Sequence, residues 1–273
     1  MKRLFVLMLI VFVAVGVSCS RAQKAGDDTY VLIKTELGDI KLKLYNDTPE
    51  HKKNFIKLAD EGYYNGVLFH RVINEFMIQG GDATSINAEP GARLGSGNPG
   101  YTIPAEFNSK YFHKKGALAA ARKGGSSNPE KRSSGSQFYI VQGKVFSPGR
   151  LDTMEMTLNS RAKNDFYKAQ FQAANNQLNE FRKNNDQVGF NECVAELREK
   201  TDSMWEQHEK VVYSPEQREA YTTVGGYPSL DGEYTVFGEV VEGLDVLDKI
   251  AAVETDQFDR PQSDIKMEVE LVK

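Results

Sequence analysis

Alternating apolar and polar side chains mark short strands near both ends of the chain. Ile40, Leu42 and Leu44 alternate with Lys41 and Lys43, and residues 265–271 repeat this pattern. A period of two is typical of a strand with one buried face. Further short apolar runs predict strands at Tyr30–Thr35, Val67–Ile73, Phe76–Gln79, Ala117–Ala121, Phe138–Gln142 and Tyr234–Val241. So many short strands predict a mainly β fold, a closed antiparallel barrel whose terminal strands pair.

Two amphipathic helices accompany the strands. The first is predicted to begin at Thr48, a suitable N-cap, followed by Pro49 at the first helical position, and to end at Gly62. The second is predicted at residues 244–251, where apolar side chains recur at helical spacing. The β pattern is therefore combined with one helix near each end of the chain.

Residues 144–221 depart from the strand pattern and predict an inserted α-helical hairpin between barrel segments 29–143 and 222–273. One apolar stripe consists of Phe171, Ala174, Leu178 and Phe181, and a second of Phe190, Val194, Leu197, Met204, Trp205 and His208. Asn184–Gly189 is the predicted turn between them, and Ser214 has the capping-box spacing of a third, short helix. Two interpretations remain open: a hairpin packed on the barrel, or an arm that holds unfolded clients.

The N-terminus carries an export pattern. Lys2 and Arg3 precede an apolar run that is shorter than a membrane span, which predicts a signal peptide at residues 1–18. Gly16-Val17-Ser18-Cys19 resembles a bacterial lipobox, so Cys19 is the predicted lipidation site and residues 19–28 the tether. The alternative is an ordinary signal peptide cut near Ala22. The expected location is the bacterial cell envelope, lipid-anchored, facing the periplasm or exposed at the surface.

Composition narrows the function classes. The 273 residues carry a formal net charge of -4, which does not suggest a nucleic-acid binder. Four histidines and two cysteines, without a CxxC or HExxH motif, give no expectation of a metal site or cofactor. If Cys19 is acylated, Cys193 has no partner for a disulfide. We expect a monomer.

Four segments resemble the cyclophilins and follow one another in that family's order. They are residues 69–82 (FHRVINEFMIQGGD), 116–121 (GALAAA), 134–140 (SGSQFYI) and 230–238 (LDGEYTVFG). The resemblance extends over about 29–143 and 226–273. It implies a closed eight-stranded antiparallel barrel capped by two helices, and peptidyl-prolyl cis-trans isomerase activity on proline-containing polypeptides, here unfolded exported proteins.

The resemblance also assigns the site residues. Arg71 would be the catalytic arginine. Those implied to bind substrate are Phe76, Met77, Gln79, Ala121, Arg122, Gln137, Tyr139, Leu230 and Tyr234. Arg122 and Tyr234 stand where Asn and His are common, Tyr139 where Phe is common, and Ser229 where many members carry Trp. His70 receives no catalytic role.

The chemistry needs few groups. Rotation about a prolyl amide makes and breaks no bond, so no nucleophile, metal or cofactor is required. A cation that hydrogen-bonds toward the nitrogen would favour the twisted amide, and arginine suits this role because it is always charged. The alternatives are a proline-peptide-binding or chaperone module without turnover, and an envelope scaffold organised by the insertion.

Overall fold

The structure is a computed structural model, and it describes residues 28–272. The strands in this range are β1 Thr29–Thr35, β2 Gly38–Leu44, β3 Val67–Leu68, β4 Arg71–Ile73, β5 Met77–Gly80, β6 Thr102–Ile103, β7 Ala117–Ala120, β8 Ser133–Ser134, β9 Phe138–Val141, β10 Val236–Glu242 and β11 Lys266–Val272. The α-helices are α1 Pro49–Asp60, α2 Pro148–Ala173, α3 Asn175–Lys183, α4 Gln187–Glu206, α5 Pro215–Thr223 and α6 Leu244–Ala251. The mainly β character of the predicted barrel segments is therefore confirmed.

The strands form a curled antiparallel sheet. Nine of them follow the order β3-β11-β1-β2-β10-β7-β9-β5-β4, and β6 pairs with β8 apart from this sheet. The terminal strands pair as expected, with Tyr30 opposite Val272. A closed eight-stranded barrel is not what these pairings show: β3 and β4 end the strand order and no pairing joins them within residues 28–272. The cause lies in the predicted strand Val67–Ile73, which is interrupted at Phe69 and His70 and so contributes to both ends of the sheet.

Three adjacent strands are buried on both faces, and this places the site. On β5, β7 and β9 every residue except Gln79 is buried. Ile78, Leu118 and Ile140 face the main core, which α1 and α6 also cover. Their neighbours in sequence, including Met77 and Tyr139, belong to a second apolar cluster on the opposite face. Successive strand residues point to opposite sides, so one set of strands supplies both the core and a second, partly exposed apolar surface.

Helix α1 begins where the sequence predicts, but its cap differs. Thr48 is the N-cap residue, yet its side chain makes no capping hydrogen bond. The carboxylate of Glu106 instead accepts hydrogen bonds from the backbone N–H groups of Glu50 and His51, at 3.1 and 3.0 Å. A negative charge at this end also favours the helix dipole. A residue distant in sequence therefore fixes the start of α1.

The predicted hairpin is present and begins earlier than its apolar stripes. Helices α2 and α3 form one arm, α4 returns along them, and the turn shrinks to residues 184–186. Leu178 and Trp205 are buried, whereas Met204 is exposed. The capping box of α5 is present, with Ser214 and Gln217 bonding each other's backbone. The domain boundaries at 143/144 and 221/222 stay predictions.

The N-terminal predictions fall outside the described residues. These are the signal peptide at 1–18, the lipidation site Cys19 and all of the tether before Asp28. Between residues 28 and 272, no helix is both long enough and apolar enough to cross a membrane.

Candidate active site

The site is built on a row of residues across neighbouring strands. Arg71 on β4 lies opposite Gln79 on β5, and Gln79 lies opposite Tyr139 on β9. Residues paired in this way project on the same face of the sheet. Met77, two positions before Gln79, shares that face. Backbone pairing therefore brings four of the predicted site residues together.

A small cavity of about 120 Å³ lies on this face. Its lining contains nine of the ten residues predicted for the site: Arg71, Phe76, Met77, Gln79, Ala121, Arg122, Tyr139, Leu230 and Tyr234. Strand alternation would send Phe76 and Met77 to opposite faces. Both reach the cavity because Phe76 lies in the turn before β5 and only Met77 belongs to the strand. The tenth residue, Gln137, lies in an adjoining cleft.

The guanidinium of Arg71 is held from two sides. Its Nη1 donates to Gln79 Oε1 and its Nε to Asp259 Oδ2, both at 3.4 Å. It also lies 6.0 Å from the centre of the Phe76 ring. The Arg71 side chain remains 40% exposed, so its other donors can reach a ligand. Both distances are long for hydrogen bonds, so the two contacts orient the guanidinium without fixing it rigidly.

Gln79 is itself oriented by a chain of amides. Its Nε2 donates to Gln137 Oε1 at 3.0 Å. Gln137 Nε2 in turn donates to the carbonyl oxygens of Gly95 and Gly97, at 3.0 and 2.7 Å. Because carbonyl oxygens only accept hydrogen bonds, Gln137 must direct its NH2 group at Gly95 and Gly97 and its oxygen at Gln79. Gln79 then donates from its own NH2 group and directs its oxygen at Arg71. Gln137 therefore acts on the cavity by orienting Gln79, and it also lines the adjoining cleft.

The loop that supplies those carbonyls is fixed by Asp82. This buried carboxylate accepts hydrogen bonds from the backbone N–H groups of Thr84, Gly95 and Gly97 and from the Thr84 hydroxyl. Burial alone would raise the pKa of Asp82, but these hydrogen bonds outweigh it and hold the pKa below its usual value. The charge of Asp82 therefore organises the loop behind Gln137.

Arg122 forms part of the wall. Its Nε donates to the Glu233 backbone oxygen at 2.7 Å and its Nη2 to Glu233 Oε2 at 2.9 Å. The guanidinium also lies 4.6 Å from the centre of the Tyr234 ring. Only 10% of the Arg122 side chain is exposed, so most of its donors serve to hold the Tyr234 segment. Arg122 also lines the cavity, and the substrate-binding role that the resemblance implies for it stays a prediction.

A larger cleft adjoins the cavity and shares Gln79, Ala121 and Arg122 with it. Its volume is about 510 Å³, and Gln137 lines it. Lys123 and Arg132 add positive charge there, and no acidic residue is among its lining residues. The cleft offers room and polar groups for the part of a bound polypeptide that extends to one side of the cavity.

Sequence reasoning missed four residues that act around the cavity. They are His113, Asp231, Glu233 and Asp259. Glu233 and Asp259 pair with the two arginines, and His113 contacts Tyr139. Asp259 is 188 positions from Arg71 in the chain, and no spacing rule connects them. Asp231 lies inside a motif quoted for the family, but nothing in its position signals a buried hydrogen-bond network.

His70, next to Arg71 in sequence, does not line the cavity. The residue is 3% exposed, and neither ring nitrogen has a hydrogen-bonding partner among residues 28–272. Burial lowers the pKa of His70 to about 4. The ring is therefore neutral in the folded protein at neutral pH and belongs to the packing.

We expect His70→Leu to flatten the dependence of stability on pH. The pKa of His70 lies near 4 in the folded protein against 6.5 for an unperturbed ring. As the pH falls through this window the unfolded chain takes up a proton that the folded chain refuses, so stability present above pH 6.5 is lost. The loss in the wild type should exceed that in the variant by about 3 kcal/mol. Urea unfolding across this window measures it, and equal slopes would contradict the assignment.

Comparisons with known proteins identify the family. The profile described as "Cyclophilin type peptidyl-prolyl cis-trans isomerase/CLD" matches residues 30–171 and 216–270. A Staphylococcus saprophyticus protein provisionally named peptidyl-prolyl cis-trans isomerase is 32% identical over 250 residues, 91% of this chain and 94% of that protein. A Staphylococcus aureus protein with the same name is 31% identical over 239 residues, 87% of this chain and 88% of that protein.

A longer relative matches only in part. A Streptococcus pyogenes protein provisionally named bifunctional phosphatase/peptidyl-prolyl cis-trans isomerase is 32% identical over 241 residues. The match takes 87% of this chain but only 37% of that protein's length. Its second named activity therefore belongs to a protein of which this chain matches little more than a third.

Solved structures agree on the fold. A cyclophilin type peptidyl-prolyl cis-trans isomerase from Cryptosporidium parvum matches with a TM-score of 0.52 at 21% identity, covering 90% of this chain and 99% of that one. A second structure of that protein, determined in the presence of the dipeptide Ala-Pro, matches with a TM-score of 0.50 at 21% identity, covering 89% and 99%. Fold, profile and the similarity of relatives matched over nearly their whole length agree, and the chain belongs to the cyclophilin-type peptidyl-prolyl cis-trans isomerase family.

Proposed function

We propose that this chain isomerises prolyl bonds in polypeptides, with Arg71 stabilising the twisted amide. One observation carries the proposal: the guanidinium of Arg71 lies at the same small cavity as the apolar side chains of Met77, Leu230 and Phe76. A proline ring could be held by the apolar wall while the amide before it faces the cation. The similar Cryptosporidium protein, whose structure was determined in the presence of Ala-Pro, supports this substrate class.

The reaction needs a cation at the amide nitrogen. Resonance across the C–N bond creates a rotational barrier of roughly 18–20 kcal/mol, and it is lost as the nitrogen becomes pyramidal. A donor directed at the nitrogen lone pair binds the twisted form more strongly than the planar form, which is the condition for acceleration. Gln79 and Asp259 orient the Arg71 guanidinium before substrate arrives. The apolar wall strengthens the electrostatic interaction by excluding water.

The proposed setting is the bacterial cell envelope. Its support is the sequence pattern at the N-terminus: two basic residues, an apolar run and Cys19. A lipid on Cys19 would hold the enzyme at a membrane, facing the periplasm or the outside, where exported chains fold. In that place an isomerase would assist proteins whose folding waits on prolyl isomerisation.

The family's closed eight-stranded barrel is also part of the proposal. The outer strands β3 and β4 are separated by only two residues, Phe69 and His70. The chain itself therefore joins the two ends of the strand order. This supports closure through the covalent chain where hydrogen bonding stops.

An exchange assay on the full chain tests the function. We expect catalytic amounts of the protein to speed cis-trans exchange of an Ala-Pro-containing peptide above the uncatalysed rate, and to speed refolding of a protein limited by prolyl isomerisation. Peptide binding without faster exchange would contradict turnover and leave a non-catalytic binding module. If the protein shows neither peptide binding nor faster exchange, the scaffold interpretation remains.

A further inference from the structure

A buried hydrogen-bond network leads from the cavity toward the helical insertion. Tyr139, one of the cavity-lining residues, is 5% exposed, and its hydroxyl lies 3.0 Å from His113 Nε2. On the other side of the ring, His113 Nδ1 lies 2.9 Å from Asp231 Oδ1. The backbone N–H of His113 donates to the same oxygen at 2.9 Å. A single carboxylate thus holds both the ring and the backbone of His113.

The second oxygen of that carboxylate belongs to α5. Asp231 Oδ2 accepts hydrogen bonds from the Tyr221 hydroxyl at 2.6 Å and from Gln217 Nε2 at 3.2 Å. Tyr221 is completely buried, and Gln217 also closes the capping box at the start of α5. The last helix before the chain returns to the sheet is therefore bonded directly to the network.

The chemistry of the groups gives this network one direction. An ionised carboxylate only accepts hydrogen bonds, so the His113 nitrogen facing Asp231 must carry the proton. The other nitrogen, Nε2, contacts the Tyr139 hydroxyl at 3.0 Å and so links the ring to the cavity. Donors from both the cavity and α5 thus converge on Asp231. Moving this carboxylate would disturb both ends.

The segment after α5 forms the rim of the cavity. The backbone of Gly226 approaches the His113 loop closely because glycine has no side chain: a Cβ there would lie 2.3 Å from the His113 carbonyl oxygen. Tyr227 donates its N–H to that oxygen at 2.8 Å and packs its ring 4.3 Å from the ring of Phe76. Leu230 follows in a short 3-10 helix and lines the cavity. The rim is therefore anchored by its backbone to the His113 segment and by the Asp231 side chain to α5.

We propose that Tyr221 and Gln217 are positioning residues for the proline-binding cavity. They act through Asp231, which fixes Leu230 by its place in the chain and Tyr139 through His113. The insertion is then part of the support of the site through its last helix, whatever its longer hairpin does. The expected effect on catalysis rests on the proposed function. The expected effect on the position of Leu230 does not.

Tyr221→Phe in the full chain tests the proposal. It removes one hydroxyl and keeps the ring, and we expect kcat/KM for the Ala-Pro-containing peptide to fall about fivefold because the rim loses its alignment. The methyl resonances of Leu230 should shift in the absence of substrate. Temperatures well below melting are used, so that a loss of stability alone would leave kcat/KM unchanged.

The chain offers a matched control next to Tyr221. The Tyr213 ring packs 5.9 Å from the Tyr221 ring, and its hydroxyl is buried without a hydrogen-bonding partner among residues 28–272. Tyr213→Phe therefore removes the same atom nearby and should change neither kcat/KM nor the Leu230 resonances.

Two outcomes would overturn the proposal. One is unchanged Leu230 resonances in Tyr221→Phe; the other is a kcat/KM within twofold of the wild type. If the wild type itself shows no exchange, the proposed function fails and the Leu230 resonances alone decide whether α5 positions the rim. Combining Tyr221→Phe with Tyr139→Phe gives a further test: coupled residues should show less than the product of their separate effects.

Discussion

Arg71→Ala is expected to lower kcat/KM for an Ala-Pro-containing peptide by about 100-fold or more, the order seen when one preorganised donor is removed from a transition state. The Arg71 guanidinium is the cation at the cavity with donors free for a ligand, because the second arginine there, Arg122, is bound to Glu233. Peptide affinity should change much less, since the apolar wall is untouched. Exchange rates at several peptide concentrations separate the two effects.

Arg71→Lys sharpens this test. Lysine keeps the charge but lacks the planar fork that contacts Gln79 and Asp259 together. We expect it to recover only a small part of the lost rate. Arg161→Ala, at an exposed arginine of α2, is the matched control and should retain wild-type activity. A fully active Arg71→Ala protein would contradict the proposal that Arg71 stabilises the twisted amide.

Asp82→Asn should lower the free energy of unfolding at pH 7 by about 3 kcal/mol, a larger loss at that pH than for any other substitution predicted here. The substitution keeps the shape but removes the charge that accepts hydrogen bonds from Thr84, Gly95 and Gly97, and it turns an N–H donor toward other donors. Urea unfolding at pH 7 measures the change. Activity should also fall, because Gly95 and Gly97 hold Gln137, which orients Gln79.

Urea unfolding repeated at acid pH tests whether the charge of Asp82 causes this loss of stability. The pKa of Asp82 is lowered in the folded protein, so its contribution is present above the unfolded value and is lost as the pH falls through the folded pKa. The difference between wild type and Asp82→Asn should therefore shrink in acid. Thr84→Val removes only one hydroxyl from the carboxylate and should cost about 1 kcal/mol. A difference that stays constant into acid would mean that the charge is not responsible.

Local patterns predict much of this molecule because they report burial. The period-two runs around Ile40 and Met267 became strands, since alternation depends only on which face is covered. The apolar stripes of the insertion predicted its helices for the same reason. The start of α2 at Pro148 was missed, although Leu151, Met154 and Leu158 recur there at helical spacing and pack in one small apolar cluster with Tyr213 and Tyr221. This further stripe could have predicted the helix.

Contacts between distant segments were beyond such patterns. The interruption at Phe69 and His70 depends on pairings with β11 and β5, which no local alternation reveals. The partners of Arg71 and Arg122 likewise come from loops whose positions depend on the whole sheet. The nine cavity residues could be named because four motifs resemble a family, while Asp259, Glu233 and His113 stood outside any recognised role.

Burial on both faces of β5 and β9 limits how this cavity can change. Met77 and Tyr139 are core residues as well as lining residues, so a substitution that alters their contact with a ligand also disturbs packing. Phe76, Ala121, Leu230 and Tyr234 are only half-buried and lie outside the strands, in turns, loop segments and one short 3-10 helix. New preferences for the residues flanking proline can arise at those four positions at little cost to folding, while the floor beneath them stays constant.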